Sequence, residues 1–404
     1  MSAPTVSFDP TSDAVLQQTR YEVYRYMREH APVYEIPGFD RPYRMLFRYA
    51  DAVAVLRSPA FVREAKNAGH EIAVQDGMRP IRELLSTWML LRDPPDHTRL
   101  RALVSKAFTP RTVEKLRGFI RETAEGLLDR MAQRGRESDL LQDFAGPLPV
   151  MVIARLLGAP VEDAERFRAW ARWIATYLGS WEGAPPEAAH AALEMAEYMR
   201  ALLEERRLSP RDDLVSALLA AEESGNRLSH EEVVGTAVML LTAGHETTVN
   251  LIANGTYALL KNPDAMRELR GSLDSPEAMA IAVEELLRFD APVQMTARHC
   301  REEIEIGGVR FRRGDVAGPV FGSANRDPAQ FPDPDRLDVR RRPNEHLAFG
   351  HGQHYCVGAG LARLEGQIAI GALLRRFPEL SLVEEPRYVR NMAFRALEGL
   401  RVAW

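Results

Sequence analysis

The chain has 404 residues, 46% of them hydrophobic and 27% charged, with a formal net charge of -5. That balance describes a folded globular protein and excludes a general nucleic-acid binder. Two cysteines cannot build a disulfide framework, no apolar run approaches the ~20 residues that cross a bilayer, and the first ten residues lack the regions of a signal peptide. A cytoplasmic protein without a membrane anchor is therefore expected.

Tyr21 to Glu29 has helical spacing, and strand-like pieces follow at Val33 to Ile36 and Arg44 to Phe47, separated by Pro37, Gly38 and Pro42. Between Val62 and Leu91, Gly69, Gly77 and Pro80 interrupt every period, which reads as a long functional excursion. Asp93-Pro94-Pro95-Asp96 opens a helix that stops near Thr109-Pro110 and carries His97 and Arg101 four apart, on one face. Alone, such a pair is most often a solvated basic face. Val113 to Leu128 is helical, and a second apolar set, Val150, Ile153 and Leu157, follows an expected break at Pro147-Leu148-Pro149. Ala164 to Glu204 reads as two helices joined around Gly179 to Pro186, with Trp170, Trp173, Ile174 and Tyr177 striping the first. Arg206 to Asp213 is the most linker-like stretch, yet it leads straight into another apolar helix. Without a repeat or a clean boundary, one domain over residues 1–404 is expected.

Ser229-His230-Glu231-Glu232 has the form of a capping box, with Leu228 and Val233 placed as a hydrophobic staple. The helix it starts can run to Lys261, and from Val233 to Leu241 it is apolar nearly all round, as in a helix through a protein centre. Ala243-Gly244-His245-Glu246-Thr247-Thr248 breaks that pattern. A Thr hydroxyl can bond back to the carbonyl four residues earlier and loosen the turn into a groove. A carboxylate in such a place is costly unless paired or used, so Glu246 either meets a basic partner or works. His245-Glu246 also raises the zinc-peptidase pattern, but Val249 stands where its second histidine is required.

In the second half, Ser275-Pro276-Glu277 opens a helix on which Glu285 and Arg288, three apart, can pair. Ile304 to Phe311 reads as a hairpin turning at Gly307-Gly308. Phe349 to Gly358 then places Cys356 among glycines and aromatic rings, ahead of a helix from Leu361 to Phe377. Helix N-termini favour thiolate over thiol. Zinc would want three or four N or S ligands and Cys300 is the only other cysteine, whereas a porphyrin needs only one strong protein ligand.

The spacing of Phe349, Gly352, His354, Cys356 and Gly358 resembles the cysteine-ligand loop of the cytochrome P450 family, and the other segments follow in the family's order along nearly the whole chain. The resemblance implies an α+β fold, mainly α with a smaller β-rich part, and a heme b (iron protoporphyrin IX) cofactor. It assigns Cys356 to the iron, and His97, Arg101 and Arg298 to the heme propionates. Ala243, Gly244, Phe349, Gly350, His354 and Gly358 would line the cofactor, while Glu246 and Thr247 would relay protons to the reacting oxygen. It also implies a structural triad of Glu285, Arg288 and Arg336, a substrate channel covered by the Ala164 to Glu204 pair, and cavity contacts from Pro292 to Met295 and Met392 to Phe394. With no reductase sequence before Trp404, electrons are expected from ferredoxin and ferredoxin reductase fed by NAD(P)H. Arg101, Lys106, Arg363, Arg375 and Arg376 would form the docking patch, although such clusters are commonly solvated faces. The expected reaction inserts one atom of O2 into a hydrophobic small-molecule substrate, as hydroxylation or epoxidation. A peroxide-driven peroxygenase, against which Glu246-Thr247 argues, and a heme-binding sensor or carrier without turnover stay open.

Overall fold

A computed structural model describes residues 8–17, 19–72, 75–179, 185–223 and 228–404. The opening residues 1–7, positions 73–74 of the excursion and residues 180–184 of the expected inter-helix turn lie outside them. The chain divides into two compact units, Met1–Ile72 with Lys261–Cys356 and Pro386–Glu398, and Ala73–Leu260 with Val357–Glu385 and Gly399–Trp404. Neither boundary falls at the linker-like Arg206 to Asp213 stretch. There the Arg206 guanidinium is buried and donates to Asp213 at 2.7 Å, so the stretch is a packed corner.

The second unit is helical. Its excursion is less irregular than its glycines suggest, because Arg79–Ser86 forms a helix burying Ile81, Leu84 and Leu85. Pro147 does not break a helix but opens one, Pro147–Leu157, directly after the π-helical turn Leu141–Ala145. Proline suits a first helical turn, where its fixed φ fits and its missing N–H had no partner to lose. Ala164–Gly179 and Pro186–Leu208 form the expected pair. Trp170 turns inward, donating its indole N–H to Glu194 at 2.7 Å and packing with Phe167 and Tyr198, while Trp173 is exposed. A three-stranded sheet completes this unit, with Arg401–Ala403 between Glu137–Asp139 and Ser381–Leu382.

The first unit holds the larger sheet, in the order Val33–Ile36, Tyr43–Leu46, Val316–Pro319, Arg298–Cys300, Phe61–Val62. Only the pairing of Tyr43–Leu46 with Val316–Pro319 is parallel. The hairpin Ile304–Ile306 with Val309–Phe311 turns through Gly307 at φ 63 and Gly308 at φ 76, two left-handed residues that a two-residue hairpin demands. Cys300 packs in the core beside Phe61 and Phe311, and burial pushes its thiol up to about 11.

Glu285, on helix Pro276–Phe289, anchors a buried network in this unit. Arg288 grips it with two bonds, Nε to Oε2 at 2.7 Å and Nη2 to Oε1 at 2.8 Å. The second arginine is not the expected Arg336 but Arg341, whose Nε lies 3.1 Å from both carboxylate oxygens. Arg336 contributes only its backbone carbonyl, 3.3 Å from Arg288 and from Arg341. The loop path folds the Arg341 side chain back over the acid, and counting along the chain does not reveal that.

Candidate functional site

In the helical unit, the capping box of the central helix His230–Lys261 is formed as expected. Ser229 N–H donates to Glu232 at 2.9 Å, and Glu232 N–H to Ser229 Oγ at 3.2 Å. Glu232 also accepts from Arg99 Nη1 at 3.1 Å, which ties helix Asp96–Ala107 to the start of the central helix. That helix presents His97, fully buried, and Arg101, half-buried. Arg99, not singled out by the sequence pattern, is what holds it in place.

Every residue of the central helix from Val233 to Thr242 is buried, and so is every residue from Thr248 to Leu259. Between these runs only His245 is buried, while Ala243 is exposed and Gly244, Glu246 and Thr247 are half-buried. The turn is loosened as its composition predicts: Thr247 Oγ1 donates to Ala243 O at 2.8 Å and Thr248 Oγ1 to Gly244 O at 3.0 Å. Burial raises the Glu246 carboxyl above its ordinary range, against the lowering effects of an Asn250 amide 3.4 Å away and of Arg172 and Arg168. His245 points the other way. Burial pulls its imidazole down to about 3, Arg168 adds to that, and the nearby Gly146 carbonyl opposes it weakly from outside hydrogen-bond geometry.

In the first unit, the Cys356 loop is folded by its own backbone. Cys356 N–H donates to Phe349 O at 2.9 Å, Tyr355 N–H to Gly352 O at 3.0 Å and Gly350 N–H to Leu347 O at 2.8 Å. Gly352, at φ 72, presses against the Leu56 carbonyl, where a Cβ would stand 2.7 Å from that oxygen. The loop base is pinned by Leu347 N–H donating to Asn325 Oδ1 at 2.7 Å and Ala348 N–H to His346 Nδ1 at 3.2 Å. Since Nδ1 accepts, His346 carries its proton on Nε2 and donates it to Glu284 at 3.2 Å. On this frame Cys356 is exposed, Gly350 and His354 are half-buried, and the Phe349 and Tyr355 rings meet edge-on at 6.3 Å. In the second unit, the half-buried Gly358, two residues after the cysteine in sequence, stands at the N-cap of helix Ala359–Arg376.

Arg298, 6% exposed, sits on its strand and donates to Thr296 Oγ1 and Ala297 O. The two stretches expected at the cavity meet each other: Gln294 N–H donates to Ala393 O at 2.7 Å, and Val293 pairs with Phe394, both half-buried.

The Cys356 loop offers an exposed thiol beside aromatic rings on a glycine-shaped frame, which suits a flat, largely apolar group with one soft metal ligand. The central helix of the other unit, taken by itself, carries a small-residue window between two buried runs. Among the described residues no cluster of three or more His, Cys, Asp or Glu could hold a metal by itself, and no helix is long and apolar enough to cross a membrane.

The family model for cytochrome P450 matches residues 39–387. The polyketide biosynthesis cytochrome P450 PksS of Bacillus subtilis strain 168 is 41% identical over 394 residues, covering 95% of each chain. The mycinamicin IV hydroxylase/epoxidase of Micromonospora griseorubida is 41% identical over 387 residues, covering 94% of each. Among solved structures, P450BioI in complex with hexadec-9Z-enoic acid ligated acyl carrier protein superposes with a TM-score of 0.89 at 38% identity, over 97% of this chain and 100% of that one.

Proposed function

Since the chain belongs to the cytochrome P450 family of heme-dependent, oxygen-incorporating oxidoreductases, we propose that it hydroxylates or epoxidises an apolar organic substrate, with Cys356 as the iron ligand. The observation that carries this reading is the window of Ala243, Gly244, Glu246 and Thr247 in a helix buried on either side of it. A helix spends its burial there only if something else covers those atoms. Relatives named for polyketide biosynthesis, for hydroxylation or epoxidation of mycinamicin IV and for a complex with an acyl carrier protein carrying hexadec-9Z-enoic acid support an organic substrate.

When bound, the heme supplies the oxygen-activating chemistry; the chain supplies position and protons. The Cys356 thiolate is the soft ligand, held at the rim of its loop by the Phe349 carbonyl's grip on its own N–H. Glu246, whose carboxyl burial raises above its ordinary range, would pass protons inward. Thr247 Oγ1 parks its hydrogen on the Ala243 carbonyl, which leaves its lone pairs free to accept a hydrogen bond from a relay water. His97, Arg101 and Arg298 would neutralise the cofactor's carboxylates, with Ala243, Gly244, Phe349, Gly350, His354 and Gly358 lining it. We take residues 1–404 as one heme domain, cytoplasmic, served by a ferredoxin and its reductase. Exposed Lys106 and Arg375 and half-buried Arg101 and Arg363 would meet the ferredoxin, along with Arg376, which also pairs with Asp129 at 2.8 Å.

The test is the absorption spectrum of the dithionite-reduced protein under carbon monoxide beside that of Cys356→Ala. A strongly red-shifted Soret band in the parent and its absence in the variant is the expected result. A folded, heme-loaded parent without that band would refute thiolate ligation.

A further inference from the structure

Met392, Ala393 and Phe394 sit on a turn of the first unit whose base is set by the pairing of Tyr388 with Leu397 and by Val389 N–H donating to Ala396 O at 2.8 Å. Asn391 shapes the turn itself, its Oδ1 accepting from the Ala393 and Phe394 N–H groups, each at 2.9 Å. Val293 and Gln294 supply one set of bonds that places this turn. A second set comes from Thr11 to Arg20, 371 residues away in sequence. The Gln17 side chain acts as a strand rung: Nε2 donates to Tyr388 O at 3.0 Å and Oε1 accepts Tyr388 N–H at 3.1 Å. Arg395 Nη1 returns a bond to Gln17 O at 2.9 Å, and Arg390 reaches Thr11 O at 2.7 Å and the Asp13 carboxylate. Arg20, fully buried at the start of helix Arg20–His30, donates to Asn391 O at 2.9 Å and to Val15 O at 2.5 Å. Burying a guanidinium is costly, and Arg20 gives its bonds to two backbone carbonyls, so what it defines is a position. Asn391 is held twice over: its side chain shapes the turn and its carbonyl fixes where the turn lies.

We propose that Gln17 and Arg20 are positioning residues for substrate selection, which act through Tyr388 and Asn391 to set where Met392 to Phe394 stand without touching substrate themselves. This rests on the reading of Met392 to Phe394 as cavity contacts. Paired hydrogen bonds fix the Tyr388 backbone to within their narrow range of distance and angle, and the Asn391 cap passes that placement to Phe394 within three residues. The ring is thereby ordered before a ligand arrives, and the ligand is spared the cost of ordering it.

The experiment uses ferric holoenzyme and two probes followed by the shift of the Soret band: imidazole, small enough to reach the iron alone, and 4-phenylimidazole, whose added ring must meet the cavity wall. Gln17→Ala is expected to bind 4-phenylimidazole about fivefold more weakly, as the ordering of one freed side chain predicts, with imidazole binding unchanged. Hydrogen–deuterium exchange of the Tyr388 amide, which loses its acceptor, should run about tenfold faster. Arg20→Lys, which cannot bridge both carbonyls, should shift the two affinities in the same sense. Gln17→Glu keeps the acceptor for Tyr388 N–H; it should fall between parent and Gln17→Ala, and it supplies the answer if Gln17→Ala does not accumulate as holoenzyme.

Phe394→Ala tests the reading beneath the proposal: parent-like binding of both probes there would remove the turn from the cavity. With Phe394→Ala weakened for 4-phenylimidazole alone, parent-like affinities in Gln17→Ala or Arg20→Lys would overturn the assignment of that residue, however fast its exchange, since faster exchange alone marks a structural strap. Equal weakening of both probes would place the effect at the iron and overturn it as well.

Discussion

Glu285, in the β-rich unit, and Glu246, in the helical unit, are both carboxylates carried inward by an apolar helix, and they meet opposite supplies of hydrogen-bond donors. Glu285 is fully buried and receives Arg288, Arg341, the Asp338 N–H at 2.9 Å and the Asn344 amide at 3.2 Å. Glu246 has one amide at 3.4 Å and a carboxyl raised by burial. An acid whose lone pairs are filled by charged donors can only hold structure. One that is left short of donors favours its neutral form and can pass a proton on. Glu365, on helix Ala359–Arg376, lies closer to the second kind: it is buried, Oε2 has no partner among the described residues, and desolvation raises its carboxyl well above the ordinary value.

That contrast can be broken from the saturated side first. Glu285→Ala leaves Arg288 and Arg341 without their counter-ion and should cost about 3–5 kcal/mol, read as a fall in denaturation midpoint. Arg341→Ala should cost about 2–3 kcal/mol by loss of charged hydrogen bonds, whereas Arg336→Ala, which keeps the carbonyl the network uses, should stay within about 0.5 kcal/mol. Equal effects of the two arginine variants would contradict the geometry described for the network.

On the under-supplied side the expected effects fall on catalysis. Glu246→Gln should slow product formation about tenfold or more while leaving the protein folded. Its pH signature follows from the raised carboxyl. Between the unfolded value, ordinarily 4.5, and the higher folded value, the unfolded state ionises and the folded state does not, so the parent loses stability as pH rises. The variant lacks that loss, and the gap in melting temperature should open above pH 4.5 in its favour. Thr247→Ala removes the hydroxyl proposed to hold the water of the relay. Electrons should still be consumed, peroxide should accumulate and product should fall; unchanged product yield would remove Thr247 from the relay.

Features set within a few residues were legible. The Ser229 capping box, the Gly307-Gly308 hairpin, the Ser275 cap and the loosened Thr247 and Thr248 turn all formed where local chemistry placed them. The cysteine loop was legible because its glycines, rings and thiol lie within ten residues of each other. Pro147 misled because proline ends one helix and begins another with the same ring, and only the chain's approach through Leu141–Ala145 decides which. The two stretches expected at the cavity, Pro292 to Met295 and Met392 to Phe394, pair with each other across about a hundred residues, and such a pairing leaves no local trace.

The sequence by itself determined the family, the iron-ligand candidate and the polar interruption of the central helix, since each is a short-range pattern of residue types whose chemistry is the same wherever it is placed. Tertiary structure decided which arginine reaches Glu285, which acids are saturated and which are starved of donors, and that Gln17 and Arg20 meet Tyr388 and Asn391. These depend on where distant loops and strands come to lie, and a buried charge is satisfied by whatever donor the fold delivers to it, not by the nearest one along the chain.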